Sequence, residues 1–122
     1  MYLRSMLIAV VSLPLLLLSG CASKPKPVFY WGDYETLIYQ MYMKPGSADP
    51  ATQISKLTVD IQKAHAKGLP IAPGIHAHLG YMYILDGKPA LAREEFLKEK
   101  QLYPESASFI DGIIKRMDEK KK

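Results

Sequence analysis

Four kinds of side chain in this sequence could do chemistry: a single cysteine, three histidines, a group of glutamates and a pair of serines. Cys21 has no second cysteine to pair with, so an intramolecular disulfide is excluded. It follows Ser19-Gly20 at the point where an apolar leader ends, which marks the thiol for modification rather than packing. His76 and His78 are two residues apart and project to different sides of a helix, so they cannot chelate one ion together. His65 could approach either of them only through tertiary packing, and no cysteine is left to complete a set. Satisfied or exposed histidines are expected, with no metal. Glu94, Glu95 and Glu99 stand among Arg93, Lys98 and Lys100, which describes a mixed-charge solvated face rather than an acid/base pair in a cleft. Ser106 and Ser108 have no base nearby in sequence, and no glycine-rich phosphate loop or nucleophile elbow appears. No catalytic residues, no cofactor and no enzymatic activity are therefore expected; Cys21 is the one site of chemistry.

The element that positions Cys21 is the leader, residues 1–20. Arg4 supplies a positive start, and Met6 to Leu18 is apolar apart from the break at Ser12 and Pro14. That run is too short for a membrane-spanning helix of ~20 residues and has the form of an export signal. Leu18-Ser19-Gly20-Cys21 resembles the bacterial lipobox. The resemblance implies a diacylated thiol, cleavage before Cys21 and acylation of the new N-terminus, with palmitate-type covalent acyl chains as the anchor. Several chains hold a protein on a bilayer where one would not, at ~0.8 kcal/mol per buried methylene. Ala22-Ser23 lacks the aspartate that retains such proteins at the inner membrane, so the same resemblance points to the periplasm-facing side of an outer membrane, with surface display as the alternative. Residues 21–32 then form a tether in which Pro25 and Pro27, spaced with Lys24 and Lys26, disfavour helix. Phe29-Tyr30-Trp31 is expected to clasp the domain, or alternatively to meet lipid headgroups.

Residues 33–119 carry helical periodicity and no strand-like alternation, so the fold class is all-α, with about five helices. Asp33 can cap a first helix with a Tyr34, Leu37, Ile38, Met41, Tyr42 stripe, ended by Pro45-Gly46. Asp49-Pro50 opens a second, with Ile54, Leu57, Ile61 and Ala64 on one face and Gly68-Leu69-Pro70 as its stop. Ile75, Leu79, Met82 and Tyr83 define a third, and Ala92, Phe96 and Tyr103 a fourth, joined through Asp86-Gly87-Lys88. Phe109, Ile110, Ile113, Ile114 and Met117 give a fifth that would lie over the open side of this hairpin. A chain of 122 residues suits one such domain. The net charge of +4 comes from Arg4 and the C-terminal stretch with its basic tail, 120–122. Residues 21–114 are formally neutral, and no basic patch interleaved with aromatics points to nucleic acid.

Pro73 to Pro104 resembles one tetratricopeptide repeat, whose period is ~34 residues. Leu79-Gly80, Tyr83, Gly87, Ala92, Phe96 and Pro104 carry the resemblance; His76 and Glu99 depart from it. By position, the inner face of the repeat would present Ala77, Tyr81, Ile84 and Leu85 as partner contacts, unless the first helix covers them through Tyr34, Leu37, Ile38 and Met41. Residues Trp31 to Met117 also resemble a family of bacterial lipoproteins known as domain-of-unknown-function family 4810. The carrying segments are Gly68-Leu69-Pro70, Pro73 to Gly80, Phe96 to Lys100 and Tyr103 to Ser106. His76 and Glu99 are at home in that pattern, which makes them packing or contact residues. The resemblance implies a lipoprotein cluster whose other members are similar to the curli-secretion channel lipoprotein. Cys21 together with a repeat that carries no catalytic groups leads to the expectation of a helical adaptor or scaffold in an envelope assembly, with other envelope lipoproteins and the membrane as partners. A cell-wall, glycan or small-ligand binder that uses the aromatic cluster and basic tail is the alternative.

Overall fold

The computed structural model describes residues 25–120; the leader, Leu18, Ser19, Gly20, Cys21, Lys121 and Lys122 lie outside the described residues. Among the described residues five α-helices follow one another: α1 (Tyr34–Met43), α2 (Pro50–Ala66), α3 (Ile75–Leu85), α4 (Pro89–Leu102) and α5 (Ala107–Glu119), with a 3-10 turn at Pro104–Ser106 before the last. Among the described residues the only β-type pairing is an isolated parallel bridge between Tyr30 and Ile71.

Helix ends follow local chemistry. The Asp49 side chain accepts from the Thr52 N–H at 2.7 Å, and Pro50 takes the first helical position, where its missing N–H costs nothing. Gly68 and Gly87 have φ of 62° and 72° and close α2 and α3 in the same way. In each, the glycine N–H and the N–H after it bond back into the last turn: Gly68 to His65 and Leu69 to Ala64, then Gly87 to Ile84 and Lys88 to Tyr83. Asp33 departs from expectation. It sits at the N-cap position of α1, but its side chain makes no capping bond. Its own N–H donates instead to Asp60 Oδ2 at 2.7 Å. Gly32 makes room for that carboxylate, because a Cβ there would fall 2.2 Å from it, and φ is 52°.

α3 is the hub. On one side Leu37 of α1 and Leu57 and Ala64 of α2 pack with Ile71, Ala72, Ile75 and Leu79. On the other, Ala92 and Phe96 of α4 join Ile110 of α5, and half-buried Tyr83 touches both clusters. Helix α3 accordingly reads IHAHLGYMYIL, apolar on nearly every face, as a helix covered on several sides must. Gly80 sets the α3–α4 approach: a Cβ there would lie 2.8 Å from Phe96 Cε1 and 3.0 Å from the Ala92 carbonyl oxygen. Segment 29–31 behaves as a clasp. Tyr30 N–H donates to Pro70 O at 2.8 Å, Phe29 meets the Tyr103 ring edge-on at 6.3 Å, and the Tyr103 hydroxyl donates to Ile71 O.

Candidate functional site

The charged residues of α4 are not where a solvated face would put them. Glu95 is 8% exposed and Glu99 2%, whereas Glu94 is exposed, which corrects the mixed-charge surface expected for this helix. The physical reason lies across the hairpin. α3 begins at Gly74, which has no side chain to cap with. Glu99 supplies the cap from α4: Oε1 accepts from Gly74 N–H at 2.7 Å and Oε2 from Ala77 N–H at 3.2 Å. A carboxylate at that end also suits the positive pole of the helix. One turn back, Glu95 accepts from His76 Nδ1 at 2.6 Å and from Lys98 Nζ at 2.6 Å. Burial pushes its carboxyl up, but the bonds from His76 and Lys98 and their charges outweigh this and hold it below its ordinary value.

His78 faces the other way, as the two-residue spacing requires. Its Nε2 meets Gln53 Oε1 at 2.7 Å, and Gln53 Nε2 donates to Ala48 O at 2.9 Å, which makes Nε2 the protonated nitrogen. The Tyr34 ring stands edge-on to the imidazole at 5.5 Å. Burial holds the His78 pKa below its ordinary value. No buried side-chain nitrogen or oxygen among the described residues is left without a partner, so this polar frame is a complete structural network. His65 and His76 do line one cleft of about 310 Å³ with Pro70, Ile71 and Tyr103. No group of three or more potential ligands placed to hold a metal occurs among the described residues.

A groove of about 420 Å³ lies between α3 and α5. Tyr81 and Ile84 form one wall, with Phe96 behind them. Phe109, Ile113, Arg116, Met117 and Lys120 form the other; they recur at i, i+4, i+7, i+8 and i+11, one stripe of a helix. Phe109 is 62% exposed rather than in the core, because α5 turns Ile110 inward instead and no other described helix covers the Phe109 side. Of the contact residues expected from sequence, Tyr81 and Leu85 are exposed, at 48% and 53%, while Ala77 and Ile84 are half-buried against the Phe96–Ile110 cluster. Tyr81 and Ile84 face α5 across the groove, whereas Ala77 N–H bonds to Glu99 of α4; α1 packs into the other cluster through Leu37 and Tyr34. The α5 wall was missing from the sequence-derived set, although its helical spacing was there to find.

These features define an all-α domain in which, among the described residues, four helices pack around a central fifth, α3, with a fully paired polar interior and an apolar groove on the outside. A family model described as "Domain of unknown function (DUF4810)" matches residues 28–113, and the chain belongs to that family. No curated protein and no solved structure matches the chain.

Proposed function

We propose that this protein is an outer-membrane-anchored, periplasm-facing helical adaptor that seats an apolar segment of another envelope protein in the α3–α5 groove. The groove carries the proposal: its walls are Tyr81, Ile84, Phe109, Ile113 and Met117, with Arg116 and Lys120 on its rim. An apolar groove lined by two helices suits a helix laid in by one face, with carboxylates on its flank to meet the two cations. Support for the anchor comes from Leu18-Ser19-Gly20-Cys21. Support for contact rather than catalysis comes from the buried carboxylates and histidines, whose partners are backbone N–H groups, the Gln53 and Lys98 side chains and one another. The close α3–α4 approach at Gly80, Ala92 and Phe96 supports reading this hairpin as tetratricopeptide-like, a scaffold in which helix faces bind proteins. Other envelope lipoproteins, of the curli-secretion-channel-like cluster, are the proposed partners.

A photo-crosslinking residue at Tyr81 in the native membrane tests the groove. One discrete adduct with an envelope protein is expected, lost when Phe109→Ser and Ile113→Ser are combined; adducts unaffected by those changes would retire the groove. Cys21→Ala tests the anchor separately. It should abolish acyl labelling and membrane fractionation while the domain folds, and persistent labelling would show the lipid site to be elsewhere.

A further inference from the structure

α1 carries more apolar surface than its packing uses. Of its ten residues only Leu37 is fully buried, with Tyr34, Ile38 and Met41 half-buried. Tyr39, Tyr42 and Met43 are 54%, 72% and 65% exposed and share a face through i, i+3, i+4 spacing. Trp31 adjoins the start of the helix, its ring 6.1 Å from that of Tyr34, and is itself 43% exposed. A helix apolar on nearly all sides is normally covered on all sides, and contiguous exposed apolar side chains mark a contact surface.

We propose that this stripe is the membrane-contacting face of the domain, with Trp31, Tyr39 and Tyr42 in the headgroup layer and Met43 reaching below it. The proposal rests on the lipid-anchor reading above. Residue type fits lipid: tyrosine and tryptophan pair an apolar ring with a polar tip and concentrate at membrane–water interfaces. Charge agrees. Lys44 closes the helix with its ammonium 5.9 Å from the Tyr39 ring centre, and Lys26 lies in the tether; both can meet anionic headgroups. Glu35, one turn before Tyr39 on the same stripe, is the acidic group of that face and keeps the contact weak. Reach supplies the rest. The twelve peptide steps from Cys21 to Asp33 span at most about 40 Å, so α1 is the first element that the anchor brings to the surface. A tethered face needs little affinity of its own, because the second contact is intramolecular.

Trp31 is the only tryptophan, so its emission reports the junction of tether and α1. The full processed chain is reconstituted in phosphatidylethanolamine–phosphatidylglycerol vesicles, with and without bromine on the acyl chains. Loss of Trp31 emission in the brominated vesicles is expected. A variant combining Tyr39→Ser, Tyr42→Ser and Met43→Ser alters only exposed side chains; it should keep its far-UV helical signal and lose most of that quenching. Unquenched emission from the acylated wild-type chain overturns the proposal, as does quenching that the triple variant leaves unchanged. A stripe that serves a protein partner instead gives the first of these results. The mass of the processed chain separates the two levels: Cys21 without acyl chains removes the anchor and this proposal together, whereas an acylated but unquenched chain removes the stripe alone.

Discussion

Glu99 holds the start of α3 from a different helix, and the sequence contains both the clue and the obstacle to seeing it. Ala92, Glu95, Phe96 and Glu99 recur at i, i+3, i+4 and i+7, so the stripe that buries Ala92 and Phe96 passes through both carboxylates. The rule that charge stays in water argues the other way. It fails here because the compensating donors, Gly74 N–H, Ala77 N–H and His76 Nδ1, come from a helix about twenty residues earlier in the chain. Glu99→Gln is isosteric but leaves one acceptor for two N–H groups and turns an amide N–H₂ toward the other. It should lower unfolding free energy by roughly 1–3 kcal/mol in urea titrations, the cost of orphaning a buried donor. Unchanged stability would mean that water replaces the cap. Glu94→Gln, one position before Glu95 but exposed, should have no measurable effect.

At the scale of the element, the inner faces were legible and the outer ones were not. Caps and stops are local chemistry, so Asp49-Pro50, Gly68 and Gly87 mark helix ends that the structure keeps. Gly80 and Ala92 foretell the close α3–α4 approach for the same reason: small residues facing large ones. Gly80→Ala places a methyl 2.8 Å from the Phe96 ring and 3.0 Å from a backbone oxygen that cannot move alone. A destabilisation of about 1–3 kcal/mol is expected from such overpacking. Phe96→Leu in the Gly80→Ala background should recover part of the loss, and strict additivity of the two changes would show that the methyl does not meet the ring. By contrast, Tyr42 and Phe109 sit on apolar stripes yet are 72% and 62% exposed. Periodicity says which residues share a face, not whether another element covers it, and α1 and α5 are the outer helices of the bundle. Phe109→Ser should therefore change stability by no more than about 0.5 kcal/mol while weakening groove contacts.

For the molecule as a whole, His78 on one side and Glu95 on the other join α3 to its neighbours, so acid should loosen the bundle at those joints. His78 ties α3 to Gln53 of α2 beside Tyr34 of α1, and His76 ties it to Glu95 of α4. Burial depresses the His78 pKa, so between the folded value and its ordinary 6.5 the unfolded chain binds the proton and the folded chain resists it. This contribution is fully present above about pH 6.5 and is lost as pH falls toward the folded value. Glu95 has the same sign in a lower window. Its folded pKa lies below the ordinary 4.5, so its contribution stands above that value and disappears as pH drops through the folded one. The urea midpoint should thus be level above neutrality, decline from about pH 6.5 and steepen below about 4.5. His78→Gln cannot titrate and should flatten the upper stage alone, at some cost in stability at every pH. Glu95→Gln should lower the plateau, because it breaks the His76 and Lys98 bonds, and should remove its share of the lower stage. An upper stage of undiminished slope in His78→Gln would place the acid-sensitive joint at another histidine, and the α2–α3 contact would then owe nothing to the protonation state of His78.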